Sequence, residues 1–255
     1  MTWSIIARDA DGRFGVAIAS RFFAVGALCV HTRHTVGALA TQALLNPLYG
    51  AAGIDLLAQR VSPAEVVRRL TAADAGREQR QLHLIGASGR GAAHTGAQCI
   101  AWCGHRVFDD FSVAGNMLAG PQVLDATAQA FLATAGRPLA ERLIAAMTAG
   151  EAAGGDKRGK QAASLRIHAG EMYPSLDLRV DDHAEPITEL RRLYDVSLER
   201  FQPFISCLAG QHDPVGLLDR QAIEARIEAQ IAEFNAASAN AHDARGVGDA
   251  RDADQ

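Results

Sequence analysis

Lysine is nearly absent: Lys157 and Lys160 are the only two among 25 basic residues. Those 25 face 29 acidic residues, for a formal net charge of −4, and no basic tract stands out. A nucleic-acid-binding surface needs such a tract, so that class of function is set aside. Long hydrophobic runs are lacking too. The longest, near Phe22–Val30, falls far short of the ~18 residues of a membrane span. The opening Met-Thr-Trp-Ser-Ile has neither the basic region nor the apolar stretch of a signal peptide, which points to the cytoplasm. Cysteine is sparse, with four residues and no framework spacing, so a reducing compartment is expected and disulfide staples are not. Aromatics make up 5%. What remains is ordinary for a globular chain: 48% apolar over 255 residues, long enough to bury roughly 75% of its unfolded surface.

The first forty residues read as strands. Thr2–Arg8 and Phe14–Ser20 flank the turn chemistry of Asp9-Ala10-Asp11-Gly12. A second pair is expected over Ala24–His31 and Thr35–Thr41, joined around Thr32-Arg33. These runs do not alternate apolar with polar, so they predict strands covered on both faces. Ser62-Pro63-Ala64-Glu65 has the form of a capping box with proline at the first helical position. Further strands are expected at Gln81–Gly86, Gly91–Thr95, Phe111–Asn116, Gln161–His168 and Leu176–Val180. Helices are expected after Pro121 and from Leu139 to a stop at Gly150. The order of elements suits an α+β fold of two mixed or antiparallel sheets packed face to face with helices outside, a four-layer αββα sandwich over 1–185. Ile187, Leu190, Leu193, Tyr194 and Phe201 mark one amphipathic helix, and Ile223, Ile227, Ile231 and Phe234 mark another. These make up a helical extension over 186–235, packed on the core or on a partner subunit. Residues 236–255 have almost no large apolar side chain and read as a disordered tail.

The strongest chemical feature is Thr2. Loss of Met1 leaves it with a hydroxyl and a free α-amine. An α-amine titrates at about 7.7–8.0, so at neutral pH part of it is free to take the hydroxyl proton. One residue then supplies both nucleophile and base.

Several blocks resemble the bacterial family of domain of unknown function 1028. They are Thr2-Trp3-Ser4-Ile5, Gly15 through Gly26, Ala40-Thr41-Gln42-Ala43, Asn46-Pro47, Ala93-His94-Thr95-Gly96, Gly115-Asn116-Met117-Leu118, Gly154 through Gln161 and Asp177 through His183. In order they cover about residues 2–195. The family is placed in the N-terminal-nucleophile (Ntn) hydrolase superfamily, and the resemblance implies the αββα fold with Thr2 as nucleophile. It supplies no substrate. One departure is informative: proteasome-type relatives carry a lysine about thirty residues downstream, where this chain has His31, Arg33 and His34. Arginine stays charged and is no base, which disfavours a self-compartmentalised protease.

Around Thr2, an acyl-transfer site needs donors for an oxyanion, and Asn116 at a strand end is the nominee. His94 also ends a strand and is a candidate acid/base. Gly154-Gly155-Asp156-Lys157-Arg158-Gly159 is a loop able to offer amides and a guanidinium to a carboxylate. Asp156 and Arg158, with Arg21, are the expected substrate-binding groups, and Gln42 and Asn46 are placed along the same cleft. His94, Cys99, Cys103 and His105 lack paired Cys-x-x-Cys knuckles, so neither metal nor other cofactor is expected. The expectation is a hydrolase that cleaves an amide-type C–N bond of a small carboxylate-bearing molecule, acting as a homo-oligomer without nucleic acid or membrane. Two alternatives stand beside it. One is a deaminase or ring-opening hydrolase using His94 without an acyl-enzyme. The other is a non-catalytic assembly protein built on the C-terminal helices.

Overall fold

The computed structural model describes the backbone of residues 2–249 and the side chains of residues 2–234. The chain divides into two compact units, one through Tyr194 and one from Asp195.

The first unit is a mixed α+β structure with two antiparallel sheets. Its strands are β1 (Thr2–Arg8), β2 (Phe14–Ser20), β3 (Val30–Arg33), β4 (Gly37–Ala43), β5 (Arg80–Gly86), β6 (Gly91–Thr95), β7 (Gly104–Val107), β8 (Phe111–Asn116), β9 (Ala162–His168) and β10 (Leu176–Val180). One sheet has the order β10-β9-β2-β1-β8-β7, the other β3-β4-β5-β6. All neighbours are antiparallel. Its helices are α1 (Gly26–Cys29), α2 (Leu48–Ala58), α3 (Pro63–Ala72), α4 (Gln122–Ala133), α5 (Leu139–Ala152) and the start of α6 (Pro186–Glu199).

The sheets face each other, with β1 against β4 and β5, and β5 against β8. Helix α5 lies on β1, β2 and β9, and α4 on β8, while α2 and α3 cover the four-stranded sheet. Strands β2 and β8 are buried along their whole length, as unbroken apolar runs require. Small residues set the spacing. A Cβ on Gly15 of β2 would lie 2.5 Å from Leu143 of α5, so the glycine lets that helix ride close to the sheet.

Several expectations need correction. Ala24–His31 is not one strand: α1 occupies Gly26–Cys29 and β3 begins at Val30, with the hairpin turn at His34-Thr35-Val36. Thr35 takes the left-handed conformation there, φ 58°. Gly150 does not stop α5, which runs to Ala152 and is followed by left-handed Gly154 and Gly155. The capping box is half made. Ser62 Oγ accepts from Glu65 N–H at 3.4 Å, but the Glu65 carboxylate turns to Arg68 and Arg69.

The second unit holds the end of α6, α7 (Phe201–Ile205) and α8 (Arg220–Asp249). Phe201 opens α7 instead of closing the preceding helix. Arg200 forms a bidentate pair with Glu224. Helix α8 has its last residue at Asp249. Residues 250–255 lie outside the described residues. Among the described residues no helix is long and apolar enough to cross a membrane.

Candidate functional site

Thr2 is the first residue of a central strand and is paired on both sides, to Ser20 of β2 and Asn116 of β8. That double pairing fixes its backbone. The residue is 7% exposed, and its Oγ1 lies 3.0 Å from Ser20 Oγ. Its carbonyl oxygen accepts from Gln42 Nε2 and from Asn116 Nδ2, each at 3.4 Å. Gln42 comes from β4 in the opposite sheet, so Thr2 is held from both sheets.

A polar cluster continues inward from Thr2. Gln81 Oε1 accepts from Gln42 Nε2 at 2.7 Å and from Asn116 Nδ2 at 3.0 Å. Ser4 Oγ donates to Gln42 Oε1 at 2.8 Å and lies 2.8 Å from His83 Nε2. His83 Nδ1 is 2.5 Å from Ser112 Oγ. Ser4, His83, Gln81 and Ser112 are all fully buried. Burial drives the His83 pKa down to about 3, so the ring is neutral at physiological pH. Buried polar groups are costly unless satisfied, and these are.

Two cavities are lined by the strand partners of Thr2, Ser20 and Asn116, though not by Thr2 itself. One, of about 240 Å³, is lined by Ser20, Trp3, Glu151, Asp156 and Lys160 together with Gly154, Gly155 and Gly159. The other, of about 280 Å³, is lined by Asn116, Met117, Ala43, Leu44, Cys99 and Ile100 with Gln79 and Gln98, and has no charged side chain. Ala43 and Met117 follow Gln42 and Asn116 directly, and both take positive φ, 70° and 53°. Two non-glycine residues held in the left-handed region on one cavity wall are local strain, of order 1–3 kcal/mol each.

Asp156 organises the loop beside the first cavity. Its carboxylate accepts from Arg21 N–H at 3.0 Å, Arg158 N–H at 2.8 Å and the Arg158 guanidinium at 3.3 Å. Arg21 Nη1 donates to the Arg158 carbonyl at 3.0 Å. Arg21, Asp156 and Arg158 are thus brought together, next to Ser20.

His94 and Asn46 are not brought to Thr2. His94 of β6 pairs with Leu82 of β5, so it lies on the face opposite Gln81 and His83, and its Nε2 meets the Arg77 carbonyl at 2.9 Å. Asn46 accepts from Leu48 N–H at the start of α2 and donates to Asp74 at 3.0 Å. Burial opposes the charge on Asp74, but hydrogen bonds from Asn46, Tyr49, Gly76 and Arg80 outweigh it and hold its carboxyl far below the usual range. His31, Arg33 and His34 contact Leu28, Asp55 and Gly170. Strand β3 that carries His31 and Arg33 is at the edge of its sheet. Cys99 and Cys103 point their sulfurs at backbone carbonyls, and burial raises both thiol pKa values. Among the described residues, no group of three or more His, Cys, Asp or Glu side chains is placed to hold a metal ion.

Sequence reasoning gave no role to Ser20, Gln81 or Ser4. The available signal was a polar residue in a largely buried strand: Ser4 in β1, Ser20 at the end of β2 and Gln81 in β5. Such a residue must find a partner across the sheet.

The model of the family described as one of unknown function, DUF1028, matches residues 2–190. The chain belongs to the DUF1028 family. The match takes in every residue of both clusters around Thr2 and Asp156. The crystal structure of the DUF1028 protein SPO2555 from Silicibacter pomeroyi is similar at TM-score 0.80 and 29% identity, over 86% of this chain and 96% of that one. Anbu (ancestral beta-subunit) from Yersinia bercovieri matches at TM-score 0.36 and 13% identity, over 77% of this chain and 94% of that one, too distant to bear on function. No curated protein matches.

Proposed function

We propose that this DUF1028 protein is an Ntn hydrolase of four-layer αββα architecture. It cleaves an amide-type C–N bond of a small molecule through Thr2, exposed by removal of Met1. The reading rests on one observation: Thr2 Oγ1, at the head of a doubly paired strand, sits 3.0 Å from a second buried hydroxyl, that of Ser20, which lines the charged cavity. The helix–sheet–sheet–helix contacts support the architecture.

In this mechanism Thr2 Oγ attacks the substrate carbonyl carbon. Its proton passes to the Thr2 α-amine, with the Ser20 hydroxyl able to accept one proton and donate another in between. The C–N bond breaks, and the leaving nitrogen takes the proton from the α-ammonium. Water then gives a proton back to the α-amine and adds to the acyl carbon, and Thr2 leaves with its hydroxyl restored. Asn116 directs its amide at the Thr2 carbonyl and Gln81, so its part is to hold the nucleophile, and the oxyanion falls to backbone N–H groups at the cavity wall. Gln42 shares the holding role. Arg21 and Arg158, with Asp156 between them, take a substrate carboxylate at the mouth of the charged cavity. His94 and Asn46 have no step.

The test is mass spectrometry of the purified chain mixed with a panel of small amides, beside Thr2→Ala. The reading requires a chain that starts at Thr2 and an acyl mass gain on its first peptide. Thr2→Ala should keep the fold, with the thermal midpoint moved by only a few degrees, and lose turnover entirely. Undiminished turnover in Thr2→Ala ends the mechanism.

A further inference from the structure

Two backbone carbonyls decide the polarity of the whole buried cluster. Gln81 Nε2 lies 3.0 Å from the Gly104 carbonyl and 2.9 Å from the Gly115 carbonyl, and 2.8 Å from Thr95 Oγ1. Backbone carbonyls only accept. The Gln81 amide group must therefore face them, and its oxygen must face Gln42 and Asn116. The reverse orientation would set oxygen against two oxygens.

The rest follows by exhaustion. With one acceptor, Gln81 Oε1, between them, both Gln42 and Asn116 must present their NH2 groups. Each then has a second N–H, and both aim it at the Thr2 carbonyl. Gln42 Oε1 is left to accept from Ser4, which commits the Ser4 proton. Ser4 Oγ must then accept from His83, so the His83 proton sits on Nε2. The other ring nitrogen, Nδ1, accepts from Ser112. Two carbonyls on β7 and β8 thus set the direction of every donor up to the nucleophilic residue.

We propose that Gln81 is a positioning residue for Thr2. By facing its oxygen to Gln42 and Asn116, it makes both carboxamides donate to the Thr2 carbonyl and so fixes the angle at which Thr2 Oγ1 meets the substrate. The proposal rests on the nucleophile reading above. Gln81 touches neither substrate nor the reacting oxygen. Its effect belongs in the rate of attack and not in substrate affinity.

The experiment uses the full chain with Met1 removed and p-nitrophenyl acetate as probe. The acetyl group is located by mass spectrometry, and Thr2→Ala separates acetylation of the hydroxyl from that of the α-amine. Saturation kinetics of p-nitrophenolate release give the maximal acylation rate and the half-saturating probe concentration. Gln81→Met, of similar volume, should lower the maximal rate by about tenfold or more while leaving half-saturation within about twofold. Ile54→Ala opens a cavity in the apolar cluster under α2, none of whose side chains hydrogen-bonds to the Thr2 network, and serves as a comparably destabilised control. It should react like the wild type. In nitrogen-edited spectra of the wild type, the His83 proton should appear on Nε2.

Equal maximal rates in Gln81→Met and wild type overturn the positioning role and leave the nucleophile standing. So does an equal loss in Ile54→Ala, which would make the effect one of stability alone. A proton on His83 Nδ1 overturns the polarity and with it the proposal. A wild type that is not acylated on the Thr2 hydroxyl removes the nucleophile, and positioning falls with it.

Discussion

His83 shows what the buried cluster costs at the level of one residue. Its folded pKa, about 3, lies below the ordinary 6.5 because a charge there would be stripped of water. The unfolded chain therefore binds the extra proton first. Stability conferred by the neutral ring is fully present above pH 6.5 and is lost as pH falls from there toward 3. His31, His105 and His168 are lowered for the same reason, burial, and add to the slope. We expect urea unfolding at pH 7, 5 and 4 to show a loss of several kcal/mol, and a visibly shallower loss in His83→Gln. An equal slope in the variant would mean that His83 is not the main proton acceptor. Thr2 could be nominated from the sequence because the chemistry proposed for it depends only on its position in the chain. Ser20 and Gln81 were not, because a hydroxyl or carboxamide in a strand means nothing until the facing strand is known. His94 was misleading for a related reason. The strand-end position was read correctly, but which face it takes depends on the register with Leu82.

Helix α5 carries the clearest prediction at the level of elements. Its Gly150 lies inside the helix, and a Cβ there would stand 2.3 Å from Thr127 Oγ1 of α4 and 2.9 Å from Trp3 Nε1 of β1. Thr127 is already committed to the Val123 carbonyl. In an exposed helix, Gly→Ala gains about 1 kcal/mol. Overpacking costs about 1–3 kcal/mol, so crowding wins here. Gly150→Ala should lower stability by up to about 2 kcal/mol, measured by denaturant midpoint at unchanged slope. A stabilised variant would show that α4 and α5 can move apart freely. The same glycine was read from sequence as a helix stop, since a glycine near a helix end usually is one. Its packing role became visible only with α4 beside it. Strands β1, β2, β6, β8 and β10 were readable because apolar runs ended in turn residues. Strand β7 was not. It is a four-residue edge strand, half exposed, with no periodicity to detect. The α1 turn was hidden by the small apolar residues that also suit a strand.

The whole molecule divides close to where the family match ends, at residue 190, against a first unit that runs through Tyr194. Both sheets, both cavities and every member of the Thr2 cluster belong to that first unit. A chain ended after Glu199, the last residue of α6, should therefore fold cooperatively and give the strand-rich circular dichroism of the intact protein. It should also keep acylation at Thr2. A truncated chain that is unfolded at room temperature would show that the second unit is needed for stability. One that is folded but inert would assign it a part in the chemistry. The composition changes after about residue 185, nine residues before this division.

The placement of β1 has a consequence for biosynthesis. Its neighbour β2 follows directly in the chain, but its other neighbour, β8, ends at Asn116. At ordinary translation speeds of about 5–20 residues per second, β1 therefore waits on the order of ten seconds before it can be bracketed. Only then does Thr2 reach the 7% exposure of the finished fold. The trimming that the proposed mechanism requires is best served by that interval on the nascent chain.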